Sequence, residues 1–239
     1  MTGAERAEFL KAYAPGLALL VLAYVLLSAF RDFHDNFAAE IWTGLGYGGE
    51  TASFSASELP VAIIALGAMA AVIVVRDNLR ALMVIHALVG LGFLLLGAAT
   101  LAFQAHLISP LIMMILAGAG LYTAYTPFNA VLFDRLVAFS GRIATAGFLI
   151  YVADASGYLG STLLLLWRNF GESNLNWVQF FIFSAYGTSV IGTVSTAFAA
   201  FYFWRHAPAF DRDESAYRSG REAPHRIERS GPLVGPKPI

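Results

Sequence analysis

The sequence predicts an all-α polytopic membrane bundle of six transmembrane helices with both termini on the cytoplasmic side. Three observations carry this. Hydrophobic residues make up 58% of the 239 positions and charged residues 13%, about half of the roughly 25% charge share of a soluble domain. The charge is also uneven, since 11 of the 31 charged residues stand in 206–239. Finally, six apolar runs are long enough to cross a hydrocarbon core roughly 30 Å thick, which takes about 20 residues at 1.5 Å each.

The runs follow in order. Ala12–Phe30 carries no charge. Leu59–Val75 is short and opens just before Pro60. Ala81–Phe103 is interrupted only by His86, and Leu107–Phe133 is uncharged. Ile143–Trp167 contains one acid, Asp154. Trp177–Trp204 is uncharged and has tryptophan at both ends, as expected at lipid–water interfaces. These runs are too long for barrel strands and lack strict alternation, so the helix is the structure that satisfies its own backbone in lipid. Residues 1–205 are read as one six-helix domain.

Between the first two runs, Arg31–Glu58 is the one long connection. Its first half, RDFHDNFAAEIW, suits an amphipathic extension of the first helix, with Arg31 and Asp35 spaced i, i+4 for a pair. Its second half, TGLGYGGETASFSASE, is rich in Gly and Ser and predicts irregular chain. The segment 206–239 is rich in Pro, Gly, Ser, Arg and Glu. It predicts a disordered, solvated cytoplasmic tail, because it offers too little apolar surface to fold alone. Docking to a partner or to anionic lipid is its other use.

Arginine and lysine set the direction. With the N-terminus inside, 13 of the 15 basic residues face the cytoplasm and two, Arg31 and Arg168, face out. A cleaved signal peptide competes with this for the first run. That run is long for such a segment, and Leu27-Ser28-Ala29 is a poor cleavage site. A net charge of −1 gives no footprint for nucleic acid. Zero cysteines exclude disulfides, thiolate metal sites and a cysteine nucleophile. Phosphate-loop, metalloprotease and nucleophile-elbow motifs are absent, so neither an enzyme nor a cofactor is expected.

Candidate sites come from residues that are expensive in lipid. Asp154 lies eleven residues into the fifth run, about 16 Å deep. It fits a proton- or cation-coupling carboxylate, a substrate contact, or an acid that bonds tyrosines and a neighbouring helix and so fixes packing. On the fourth run Tyr122, Tyr125 and Asn129 stand at i, i+3, i+7 on one face. The two tyrosines are expected at about the depth of Asp154. Pro127 beside them frees a carbonyl, which suits a midplane site or a plain packing kink. Arg31, Asp32, His34 and Asp35 cluster at the outer end of the first run, as a solvated rim or an outer gate. His86 is expected to bond a neighbouring helix. Haem between His86 and His106 is not supported, because they sit at opposite ends of one helix. Small residues repeat every four positions at Ala153, Gly157 and Ser161, at Ser184, Thr188, Gly192 and Thr196, and at Gly67 and Ala71, which permits close helix contact.

Four stretches carry a resemblance: RDFHDNFAAEIW (31–42), HALVGLGFLLLGAATL (86–101), GLYTAYTPFNAVLFDRL (120–136) and GFLIYVADASGYLGS (147–161). In order and spacing, residues 8–205 resemble the C-terminal six-helix half of a bacterial family within the major facilitator superfamily. The resemblance implies a location in the bacterial inner membrane and a twelve-helix transporter built of two halves. The first and fourth helices of each half would line the cavity, and the second and fifth would join the halves. Tyr24, Arg31, Asp35, Tyr122, Tyr125 and Asn129 would then face the cavity, with Asp154 on its wall. Asp77 and Arg80 in VVRDNLRA would serve as the cytoplasmic gate, although the glycine that leads the superfamily's signature there is missing.

Two readings follow. In the first, the chain is a half-size transporter-like subunit that pairs with itself or with a second six-helix protein and moves a small solute. Asp154 couples, while Tyr122, Tyr125 and Asn129 touch substrate. In the second, it is a non-transporting structural or assembly subunit of a larger membrane complex.

Overall fold

Apolar runs in lipid must close their backbone bonds within themselves, and they do so here. The computed structural model describes residues 3–48, 51–140, 145–171 and 175–222. Every regular element among them is helical: α1 (Gly3–Asn36), α2 (Ala38–Gly44), α3 (Thr51–Val74), α4 (Asn78–Gln104), α5 (Pro110–Pro127), a π-helical turn (Phe128–Leu132), α6 (Phe133–Ser140), α7 (Ala146–Phe170) and α8 (Trp177–Glu222). Six stretches are long and apolar enough to span a membrane: Glu5–Asn36, Ala56–Val74, Asn78–Gln104, Pro110–Ser140, Ala146–Phe170 and Trp177–Ala207. The chain is a multi-pass helical membrane protein.

The helix ends differ from those the hydropathy predicts, because a helix once formed propagates through polar residues at little cost. α1 starts nine residues before Ala12 and buries Phe9 and Tyr13 ahead of Pro15. α3 starts at Thr51 and carries Pro60 inside it, so the stretch expected to be irregular is helical from Thr51 on. The fourth span opens at Pro110, with Ser109 as its cap, and runs past Phe133 to Ser140. α7 opens at Ala146 rather than Ile143, and residues 141–144 lie outside the described residues. α8 continues to Glu222, so the predicted disordered tail is helical over 206–222. Residues 223–239 lie outside the described residues. The amphipathic extension forms as expected: α1 reaches Asn36, and α2 follows a break at Phe37 and buries Ile41 and Trp42.

The spans pack in the order α3, α5, α4, α8, α1, α7, with α1 and α5 also touching. In their most apolar windows α3 and α7 are each 22% buried, against 44–56% for the other four spans. They are therefore the open edges of the bundle. Glycine sets the tightest crossing. A Cβ on Gly92 of α4 would stand 2.4 Å from the Gly120 carbonyl of α5, and one on Gly120 would stand 2.6 Å from the Gly92 carbonyl. Two small-residue stripes are used inside the bundle. Gly157 lies against Tyr24 and Ser28 of α1, and Gly192 lies under the Phe93 ring of α4. Gly67 on α3 faces open space.

Candidate functional site

The polar residues of α1, α5 and α7 meet along one seam. α1 supplies Tyr24 and Arg31 at i, i+7, hence on one face. α7 can approach that face because its stripe is small: Ala153 and Ser161 are buried on it, and Gly157 leaves room for the Tyr24 ring. α5 reaches the seam through its distorted end. Pro127 lacks an N–H, and the chain widens into the π-helical turn that carries Asn129. Such turns are frequent at functional sites because they re-aim a side chain without ending the helix.

At one level, the Tyr24 hydroxyl donates to Asp154 Oδ1 at 2.5 Å. Asn129 Nδ2 donates to the Tyr24 hydroxyl at 2.8 Å and to Asp154 Oδ1 at 3.2 Å. Both bonds to Asp154 fall on one oxygen, so Oδ2 is left for a further partner. No cationic side chain among the described residues pairs with this carboxylate. Asp154 is half-buried, and its neighbours Tyr151 and Tyr158 on α7 are 78% and 69% exposed. Tyr24 is buried, with its ring stacked on Tyr125 and tilted against Phe128.

At the next level along α1, the Arg31 guanidinium lies 3.9 Å from the Tyr125 ring centre and 2.5 Å from Asp32 Oδ1. The other Asp32 oxygen accepts from Ser161 of α7 at 2.7 Å. At the Asn36 end of α1, Tyr122 donates to Asp35 Oδ2 at 2.6 Å, and His34 Nδ1 meets Asp35 Oδ1 at 2.9 Å. The seam thus holds one guanidinium against three carboxylates. Uncompensated charge in lipid is costly, so this arrangement suits the uptake of a proton or a cation.

Several expectations change. Tyr122, Tyr125 and Asn129 do share a face, but they meet α1 at three levels. Asn129 and Tyr24 stand at the depth of Asp154, not the two tyrosines. Asp154 itself lies eight residues past Ala146, about 12 Å along a helix about 37 Å long and about 6 Å short of its centre. Arg31 pairs with Asp32, not Asp35, because its fork folds onto the Tyr125 ring beside that nearer acid while Asp35 turns to Tyr122. His86 bonds its own helix through the Leu82 carbonyl at 2.7 Å. An imidazole four residues on reaches that carbonyl, and the facing α8 offers the Phe203 ring instead.

Asp77 and Arg80 do not join the seam. The Asp77 carboxylate caps α4 by accepting the Arg80 backbone N–H at 2.7 Å. Nearby, Arg135 of α6 donates to Asn78 at 3.0 Å. The resemblance puts Tyr24 on the cavity and Asp154 on its wall, but the Tyr24–Asp154 and Asp32–Ser161 bonds themselves are visible only in the packed helices.

The chain belongs to the family described as "Family of unknown function (DUF5690)", whose model matches residues 1–206. No curated protein and no solved structure matches it.

Proposed function

We propose that this member of the family is one six-helix half of a solute transporter, which pairs with a second copy or with another six-helix protein in the bacterial inner membrane. The observation that carries this is Asp154, a carboxylate within a membrane span that is held by Tyr24 and Asn129 and, among the described residues, has no cation and keeps one oxygen unclaimed. A packing acid would be expected to close all its bonds inside the bundle. This one is half-buried on the side bounded by an open edge helix. Asp154 is the coupling carboxylate, and Asn129, Tyr125 and Tyr122 line the path of the solute. Transporters place such groups where a helix is interrupted, and the π-helical turn at Asn129 supplies that feature. The open faces of α3 and α7 seat the second half. They suit equally a structural subunit inside a larger complex, which is the second reading.

The test is transport by the purified full chain in proteoliposomes, recorded as solute-induced current for a panel of small solutes at several pH values. The wild type should give a current with at least one solute, and Asp154→Asn should lose it while crosslinked mass stays unchanged. Uptake that survives Asp154→Asn would remove the coupling role. Recovery of the native chain only among unrelated subunits, with no current for any solute, favours the structural reading.

A further inference from the structure

The Asn36 end of the seam holds a titratable group that the coupling role of Asp154 leaves unused. His34 Nδ1 stands 2.9 Å from Asp35 Oδ1. A carboxylate only accepts, so Nδ1 carries the hydrogen and Nε2 a lone pair. That Nε2 is buried without a partner among the described residues, on a side chain 4% exposed. An imidazole lone pair enclosed this way, beside an acid that is itself 37% exposed, is a vacant base.

Charge points the same way. Arg31 is committed to Asp32. With His34 neutral, the group of Arg31, Asp32, His34 and Asp35 sums to −1. With His34 protonated it closes into two ion pairs. Among the described residues no other cation pairs with this group. On α1 His34 faces Asp35, with Arg31 one turn away. On α5 stands Tyr122, bonded to Asp35. Glu58 of α3 acts on Tyr122 from a distance. The α8 side presents the Phe181 ring, centred 6.2 Å from the imidazole. A net negative cluster at the end of a membrane span is relieved by one proton, and His34 Nε2 is the uncharged basic atom of the cluster that can take it.

We propose that His34 is a second proton-binding site of this protein, at the Asn36 end of the polar face whose other end is Asp154. The two levels are separated by eleven residues of α1, from Tyr24 to Asp35, about 16 Å. Use of this site in coupling rests on the transport reading; occupancy by a proton does not.

The experiment is nitrogen-15 NMR of the full chain in lipid nanodiscs with ring-labelled histidine, between about pH 5 and 8. The His34 signal is identified by its loss in His34→Gln. Should that variant fail to fold, the signal is identified by its persistence when His86, His106, His206 and His225 are changed to Gln. His34 should pass from the neutral form protonated at Nδ1 to the imidazolium, and Asp35→Asn should remove that passage from the window. A His34 that stays neutral throughout, that carries its neutral-form proton on Nε2, or that titrates identically in Asp35→Asn overturns the proposal. Because no solute is present, a negative result here leaves the Asp154 reading standing. A normal titration with no transport removes only that reading.

Discussion

Replacing Tyr24 with Phe isolates one hydroxyl at the centre of the seam. The ring stays, so its stacking on Tyr125 and Phe128 is kept. What is lost is a donor to Asp154 at 2.5 Å and an acceptor for Asn129 at 2.8 Å. Asp154 then keeps only the longer Asn129 bond at 3.2 Å. A hydrogen bond to a charged group contributes about 1.5–3 kcal/mol in soluble proteins. Between membrane helices the average is nearer 0.6 and the largest about 1.7 kcal/mol. With one hydroxyl serving two partners, Tyr24→Phe should destabilise the bundle by about 1–2 kcal/mol, near the upper membrane value. Reversible unfolding in mixed micelles reads this, and a double-mutant cycle with Asp154→Asn isolates the pair. The cycle should show about 1 kcal/mol of coupling, since contacting residues are not additive. A Tyr24→Phe change within about 0.5 kcal/mol of wild type, or strict additivity with Asp154→Asn, would refute the reasoning. Asp154 would then be supported by something other than Tyr24.

Two further outcomes follow from the same geometry. Gly120→Ala places a methyl group 2.6 Å from the Gly92 carbonyl and 3.2 Å from the Leu96 nitrogen. Backbone must move to admit it, and overpacking of this kind costs about 1–3 kcal/mol; unchanged melting in detergent would mean that α4 and α5 are less tightly crossed than described. Asp77→Asn should leave both stability and transport near wild type, because Asn caps as well as Asp, whereas Asp77→Ala should cost about 1 kcal/mol. Loss of transport in Asp77→Asn with stability intact would assign the Asp77 charge a gating role instead.

The number and type of the spanning elements were legible because the bilayer imposes a length and a composition on every crossing segment. Their ends were not. Polar stretches such as the leader before Ala12 and the residues after Trp204 join a helix that is already nucleated, and hydropathy does not see that. Asp154 stood out because an acid inside an apolar run is expensive wherever it points. Tyr122, Tyr125 and Asn129 were grouped by helical period, which is local. Their depths relative to Asp154 depend on where α5 and α7 begin and on which residues of α1 they meet, and helical period does not encode that.

By itself, then, the sequence determined a six-span helical membrane protein and marked which side chains are too costly to be incidental, since both follow from the transfer of single residues and short runs into lipid. Only the tertiary structure decided which partners those side chains have. Tyr24 is one aromatic among many until α7, through Ala153 and Gly157, comes close enough to bring Asp154 to its hydroxyl. Arg31 prefers Asp32 to Asp35 only because the Tyr125 ring lies beneath its guanidinium. Such choices depend on helices far apart in the chain crossing at one place, and helical period within a single segment carries no information about its neighbour.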